Sequence, residues 1–272
     1  MQTAGGVLPW GPTEVRLTGP NTPNTSLKLL VPLLLAALVL LFALSWNDVI
    51  PGSWRLQGWV LGIEGRDNRE RLQHASERRE LFRAQQGRVQ PGAIVFLGSS
   101  TVEQFPLEQV FPGKPCLNRG INGDTLGDLI KRLPDSLPLA EPAALVVAIG
   151  GNDLRRLHLS AEAAAESAVE LMDELRKRYP QTPIAWLGLF GESQAAPQEL
   201  AQAQRYNDMA RAAAATRNIV FVPTQRAQLV DSEGRLRLSH AADRYHLNLP
   251  GYLLLGQWIA DSGGSVGALL QP

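Results

Sequence analysis

Hydrophobic and polar positions divide the chain into stretches of different character. Residues 1–26 are rich in Gly, Pro, Thr and Asn and show no hydrophobic period, which is the composition of a disordered tail. Every residue from 29 to 44 is apolar, and Ser45 and Trp46 extend the run to about 18 residues, within the 17 to 25 that cross a bilayer. The h-region of a cleaved leader is shorter, about 7 to 15 residues, and Leu44-Ser45-Trp46-Asn47 is a poor cleavage site. A buried core helix rarely lacks any polar position. An uncleaved transmembrane anchor over residues 27–46 is therefore expected, with Pro32 near its start, where a helix tolerates it. Trp46, Trp54 and Trp59 follow closely enough to form an interfacial belt.

Residues 47–89 read as a juxtamembrane segment and a charged linker helix. Both signs of charge crowd 64–88, while Leu72, Ala75 and Phe82 recur at helical spacing as a narrow apolar stripe. Beyond Pro91-Gly92 the pattern alternates. Short apolar runs at 93–97, 115–118, 144–149, 184–189 and 219–222 have strand length, and stretches at 125–133, 160–179, 197–217 and 251–262 have helical length. Leu145-Val146-Val147-Ala148-Ile149 is apolar on both faces, as in a strand covered from both sides. The fold class expected for residues 90–272 is α/β: a three-layer α/β/α domain around a mostly parallel sheet of about five strands.

Composition narrows the function. Lys+Arg and Asp+Glu both total 26, so no broad basic field is present to hold nucleic acid. Cys116 is the only cysteine, which excludes an internal disulfide, and His74, His158, His240 and His246 have no zinc-ligand spacing. No metal or other cofactor is expected, and nothing sets an oligomeric state. Arg16 and Lys28 before the span are balanced by Arg55 and Arg66 after it, so basic residues do not orient the anchor. A long domain following one N-terminal span is most simply placed outside the cytoplasm, in the periplasm.

Candidate chemistry lies in four motifs: Gly98-Ser99-Ser100-Thr101, Asn118 to Asp124, Gly150-Gly151-Asn152-Asp153 and Asp243-Arg244-Tyr245-His246. Three begin where a predicted strand stops, the side on which open α/β sheets form their crevices. Ser100 would sit at a strand-to-helix turn. A serine hydroxyl needs a base, and the base an orienting partner; His246 and Asp243, three residues apart, supply both. His240 is a nearby alternative base. Gly123, in a glycine-rich loop, and Asn152, with its side-chain amide, can donate to a developing oxyanion along with the Ser100 N–H. Taken singly, each residue reads as readily as a helix cap or a turn.

Together, the order and spacing of the blocks resemble the SGNH hydrolase superfamily, the GDSL-type esterases and lipases. The resemblance covers roughly residues 90–265 and implies a flavodoxin-like fold. It also implies Ser100 as nucleophile, Ser100, Gly123 and Asn152 as the oxyanion hole, and Asp243 and His246 as the other triad members. Ser99 stands where the first block usually has aspartate, as in Gly-Ser-Ser variants, and is a minor rival nucleophile. The implied activity is a serine esterase acting through an acyl-enzyme on a small-molecule or carbohydrate ester, with a small acyl or lipid group. Alternatives are a membrane-anchored O-acyltransferase for a cell-envelope carbohydrate and a non-catalytic binding module. Loops 103–113, 154–160 and 190–197 would wall the pocket.

Overall fold

Five apolar runs become one parallel sheet: β1 Ile94–Gly98, β2 Cys116–Gly120, β3 Ala144–Ala148, β4 Ile184–Leu187 and β5 Val220–Val222, in the order β2-β1-β3-β4-β5. The computed structural model describes residues 63–271, with side chains from Asn68 onwards, and three single helical positions, Pro32, Ala36 and Val39. Apart from those three, the tail and anchor expected over 1–46 lie outside the described residues. Among the described residues, no helix is long and apolar enough to cross a membrane.

Successive side chains of a strand point to opposite faces, and here each face meets its own core. Val95, Leu97, Leu145, Val147 and Trp186 pack with α4 (Leu126–Ser136), α6 (Ala161–Arg178) and α7 (Pro197–Ala215), after α1 (Ile63–Gln85), α2 (Ser100–Glu103), α3 (Leu107–Val110) and α5 (Gly151–Arg155) in chain order. Ile94, Phe96, Val146 and Leu187 pack on the other side with α2, α3, α8 (Leu249–Ala260) and α9 (Gly264–Leu270). This is the expected three-layer arrangement with both sheet faces covered.

Of the short helices, only α2 was anticipated, as the helix side of the turn at Ser100; α3, α5 and α9 were not, because runs of four to seven residues carry too little periodicity to register. Several boundaries also differ, two of them for an identifiable physical cause. The helix expected to stop at Leu133, ahead of Pro134, continues to Ser136, and its last carbonyls are taken up by Gln86 Nε2 on Leu137 (3.0 Å) and Arg119 Nε on Ser136 (2.9 Å). The last long helix starts at Leu249 rather than Gly251, because Asn248 caps it by accepting the Gly251 N–H at 3.1 Å with Pro250 in the first turn.

The charged helix α1 docks largely through its guanidinium groups. Arg78 donates to the Gly120 carbonyl (2.9 Å), and Arg79 and Arg83 both grip Asp135 at 2.8 Å. Leu72 is half exposed, so the expected apolar stripe contracts to Phe82, which is fully buried with the guanidinium carbons of Arg78 and Arg119 4.8 and 4.6 Å from its ring centre.

Backbones approach closely where β2 passes α2. A Cβ on Gly120 would lie 2.7 Å from the Val102 carbonyl carbon and collide with Glu103. We expect Gly120→Ala to cost at least about 1–3 kcal/mol, the range for overpacking, read as a lower urea midpoint at unchanged slope. An unshifted midpoint would mean that the two segments can part without penalty.

Candidate active site

Strand order reverses between β1 and β3, the switch point at which open α/β sheets bind ligands. Ser100 follows β1 and Asn152 follows β3, so two of the sequence motifs meet there. Gly98 has no room for a side chain because one would strike the Ala148 carbonyl, and this keeps the two strand ends close.

Ser100 is the first residue of α2 and is 6% exposed. The Ser99 carbonyl starts the helix by accepting the N–H groups of Val102 (3.1 Å) and Glu103 (2.9 Å). Tyr252 donates its hydroxyl to Thr101 O (3.1 Å), and Asn118 donates its amide to Val102 O (2.6 Å), so the short helix is pinned from both sides. Among the described residues, the N–H groups of Ser100 and Gly123 have no acceptor.

Gly150 turns the chain from β3 into α5 with φ 117°, and a Cβ there would lie 2.6 Å from the Tyr206 hydroxyl, which donates to Ile149 O at 3.1 Å. Asn152 is buried in α5. Its Nδ2 donates to Asp124 O and its Oδ1 accepts from Arg155 Nη2, both at 2.8 Å. These bonds fix which way the amide points and leave one N–H of Nδ2 for another acceptor. The neighbouring Asp153 caps α4, accepting the Leu126 N–H at 3.1 Å, and burial pushes its carboxyl up to about 6 against the downward pull of that bond.

Gly123 lies in the turn ahead of α4 with φ 79°, and the Arg71 side chain of α1 occupies the space a Cβ would need, with Cδ at 2.7 Å. Asp124 pairs with buried Arg132 at 2.5 Å, and Arg132 also donates to Gly98 O at 3.0 Å, joining the Gly123 turn to the strand that carries the serines.

His246 and Asp243 share a tight loop closed by the bridge between Ala241 and Leu247. His246 Nδ1 is 2.7 Å from Asp243 Oδ2, while Asp243 Oδ1 accepts the N–H groups of Tyr245 (2.7 Å) and His246 (2.8 Å). Burial pushes the Asp243 carboxyl up, but the hydrogen bonds from His246 and these N–H groups outweigh it and hold the group below its ordinary value. It is therefore ionised at neutral pH.

Ser99, Ser100, Asn152 and His246 all line one cavity of about 290 Å³, whereas Gly123, Asp243 and His240 do not. Asp243 reaches the cavity only through His246. His240 turns to Ser239 Oγ, 2.9 Å from its Nδ1. Of the expected wall loops, 154–160 and 190–197 contribute and 103–113 does not.

Sequence reasoning assigned no role to Arg155, Glu192 or Tyr245. The Arg155 guanidinium lies 4.2 Å from the Tyr245 ring centre and that of Arg244 5.3 Å from it, and Glu192 pairs with both arginines, at 3.7 and 2.6 Å. The cluster links Asn152 to the loop of His246. Its one sequence signal is the spacing of Asn152 and Arg155, three apart on a helix and so neighbours on its surface.

A parallel sheet of this order, with serine, asparagine and histidine gathered on one cavity at its switch point, defines an α/β ester hydrolase. The chain belongs to the GDSL-like Lipase/Acylhydrolase family, whose model matches residues 96–254, over half its length, and so to the SGNH hydrolase superfamily; it is a carboxylic ester hydrolase. It is 27% identical over 164 residues to the bovine (Bos taurus) platelet-activating factor acetylhydrolase IB subunit alpha1, covering 58% of this chain and 69% of that one. A Streptococcus pneumonia protein named for platelet activating factor shares the fold with a TM-score of 0.67 at 24% identity, over 74% of this chain and 98% of its own. An acetylxylan esterase from Geobacillus stearothermophilus does so at 0.52 and 18%, over 64% and 95%.

Proposed function

We propose that the protein is a serine esterase with Ser100, His246 and Asp243 as its triad and an acyl-enzyme intermediate. The observation that carries this reading is the 2.7 Å hydrogen bond between His246 and Asp243, with His246 lining the same cavity as Ser100. Ionised Asp243 accepts the Nδ1 proton and so leaves Nε2 as the basic nitrogen. His246 Nε2 takes the proton of Ser100 Oγ as that oxygen attacks the ester carbonyl. The Ser100 N–H and the free Asn152 amide proton, both on the cavity, receive the oxyanion, and the Gly123 N–H, unpaired but off the cavity lining, is the third donor of this reading. Collapse of the intermediate expels the alcohol, protonated by His246, and water repeats the sequence to release the acid.

In the same reading, the apolar run over 27–46 anchors the chain in a membrane and the catalytic domain, 90–272, faces the periplasm. Fluorophosphonate labelling followed by peptide mapping tests the nucleophile: an adduct on Ser100 is expected, and an adduct on Ser99 or none at all would sink the assignment. Asn152→Ala should lower kcat about 10²- to 10³-fold with little change in KM, since the amide acts on charge that exists only in the transition state. A rise in KM at constant kcat would instead make Asn152 a substrate-binding group.

A further inference from the structure

The shape and chemistry of the cavity bear on which esters enter it. At about 290 Å³ it is nearly twice the ~150 Å³ apolar cavity known to take up benzene, far more space than an acetyl group fills. From Ser100 and His246 it runs past the ends of β3 and β4 to α7, walled by Leu154, Leu159, Leu187, Leu189, Phe190 and Leu255.

Part of its polar lining is engaged within the protein. Glu192 is held by Arg244 and Arg155. Gln202 Oε1 accepts the Ala161 N–H at 2.8 Å, Glu199 Oε2 the Ala196 N–H at 2.7 Å, and Thr224 Oγ1 donates to Gly188 O at 2.9 Å. Sugar hydroxyls brought inside would lose water and have to compete with these internal bonds for partners. An alkyl chain loses nothing of the kind.

We propose that this cavity is an acyl pocket for an unbranched medium-length chain, about six to ten carbons on the size comparison above, which makes alkanoyl esters and not acetyl esters the preferred class. The proposal rests on Ser100 being the nucleophile. It departs from direct transfer of the acetyl specificity in the names of the bovine relative and the Geobacillus enzyme.

The test is a series of p-nitrophenyl esters from acetyl to dodecanoyl on the full chain. kcat/KM should rise about fourfold per methylene, the equivalent of ~0.8 kcal/mol for each one buried, and level off once the cavity is full. A profile that is flat or falls from acetyl onwards overturns the proposal, and so does a rise confined to a series of alkyl acetates, which would put the chain on the alcohol side. Ala203→Phe, checked for folding by its melting temperature, should cut the octanoyl-to-acetyl ratio of kcat/KM by at least about tenfold. An unchanged ratio counts against the pocket.

Binding decides the matter separately from turnover. In the Ser100→Ala variant, calorimetry should find octanoate bound more tightly than acetate; equal binding overturns the pocket whether or not any ester is cleaved. Labelling of Ser100 combined with an acetyl preference defeats the acyl pocket alone. Octanoate binding without labelling defeats only the nucleophile.

Discussion

Ser100→Ala should lower kcat on the best p-nitrophenyl ester by four to six orders of magnitude, about the range seen when a triad serine is removed. Ser99→Ala should cost less than about tenfold, because Ser99 starts α2 with its backbone carbonyl, which alanine retains. The pair separates the two serines sharply. Both line the cavity, so position alone does not choose between them. Two things favour Ser100: it opens the helix and so has an N–H without an intrahelical partner beside its own hydroxyl, and the Ser99 N–H is already given to Ala148 O at 3.3 Å. Near-normal turnover in Ser100→Ala, with loss in Ser99→Ala, would move the nucleophile by one residue.

The second large effect is expected at Asp243. Asp243→Asn keeps an oxygen for the N–H groups of Tyr245 and His246, so the loop should hold and the melting temperature should change by no more than about 3 °C, about 1 kcal/mol at this size. The group facing His246 Nδ1 becomes an amide N–H, which forces the ring to accept there and to carry its proton on Nε2. In that tautomer His246 has no lone pair for the Ser100 proton, and kcat should fall about 10⁴-fold. The sign of the pH effect follows from the depressed carboxyl. A carboxylate held below its unfolded value contributes stability that is fully present above that value and is lost as pH falls through its folded one. Loss of activity in mildly acidic solution therefore has to come from a group other than Asp243. If Asp243→Asn retained a tenth or more of wild-type kcat, the carboxylate would be a loop cap and not part of the chemistry.

Much of this arrangement was legible in the residues. Runs such as Leu145 to Ile149 announced a strand buried on both faces, and stretches such as 160–179 and 197–217 showed their helices by length and spacing. The four motifs could be read because their residue types are constrained by what they do: Gly98 by the Ala148 carbonyl against it, and Gly150 by a positive φ and the Tyr206 hydroxyl. What escaped was of two kinds. Helices of one turn have no period to detect. Contacts between distant segments, such as Arg155 and Arg244 against Tyr245, or Arg71 over Gly123, depend on topology that no local pattern encodes. Arg78, Arg79 and Arg83 illustrate the same limit: in the sequence they are part of a charged linker helix, and in the fold their partners are Gly120 and Asp135, reached only after β2 and α4 are in place.

The order of the strands has a consequence in time. Ser100 and Asn152 come from segments that can dock as soon as β3 has paired with β1, whereas His246 comes after β5, on a loop closed by Ala241 and Leu247. As the chain leaves the ribosome, the first two-thirds of the domain can collapse around the central strands while still lacking a base. With the proposed triad, the Ser100 hydroxyl would stay an ordinary alcohol until the residues beyond β5 are made, and its reactivity would depend on the last loop to fold.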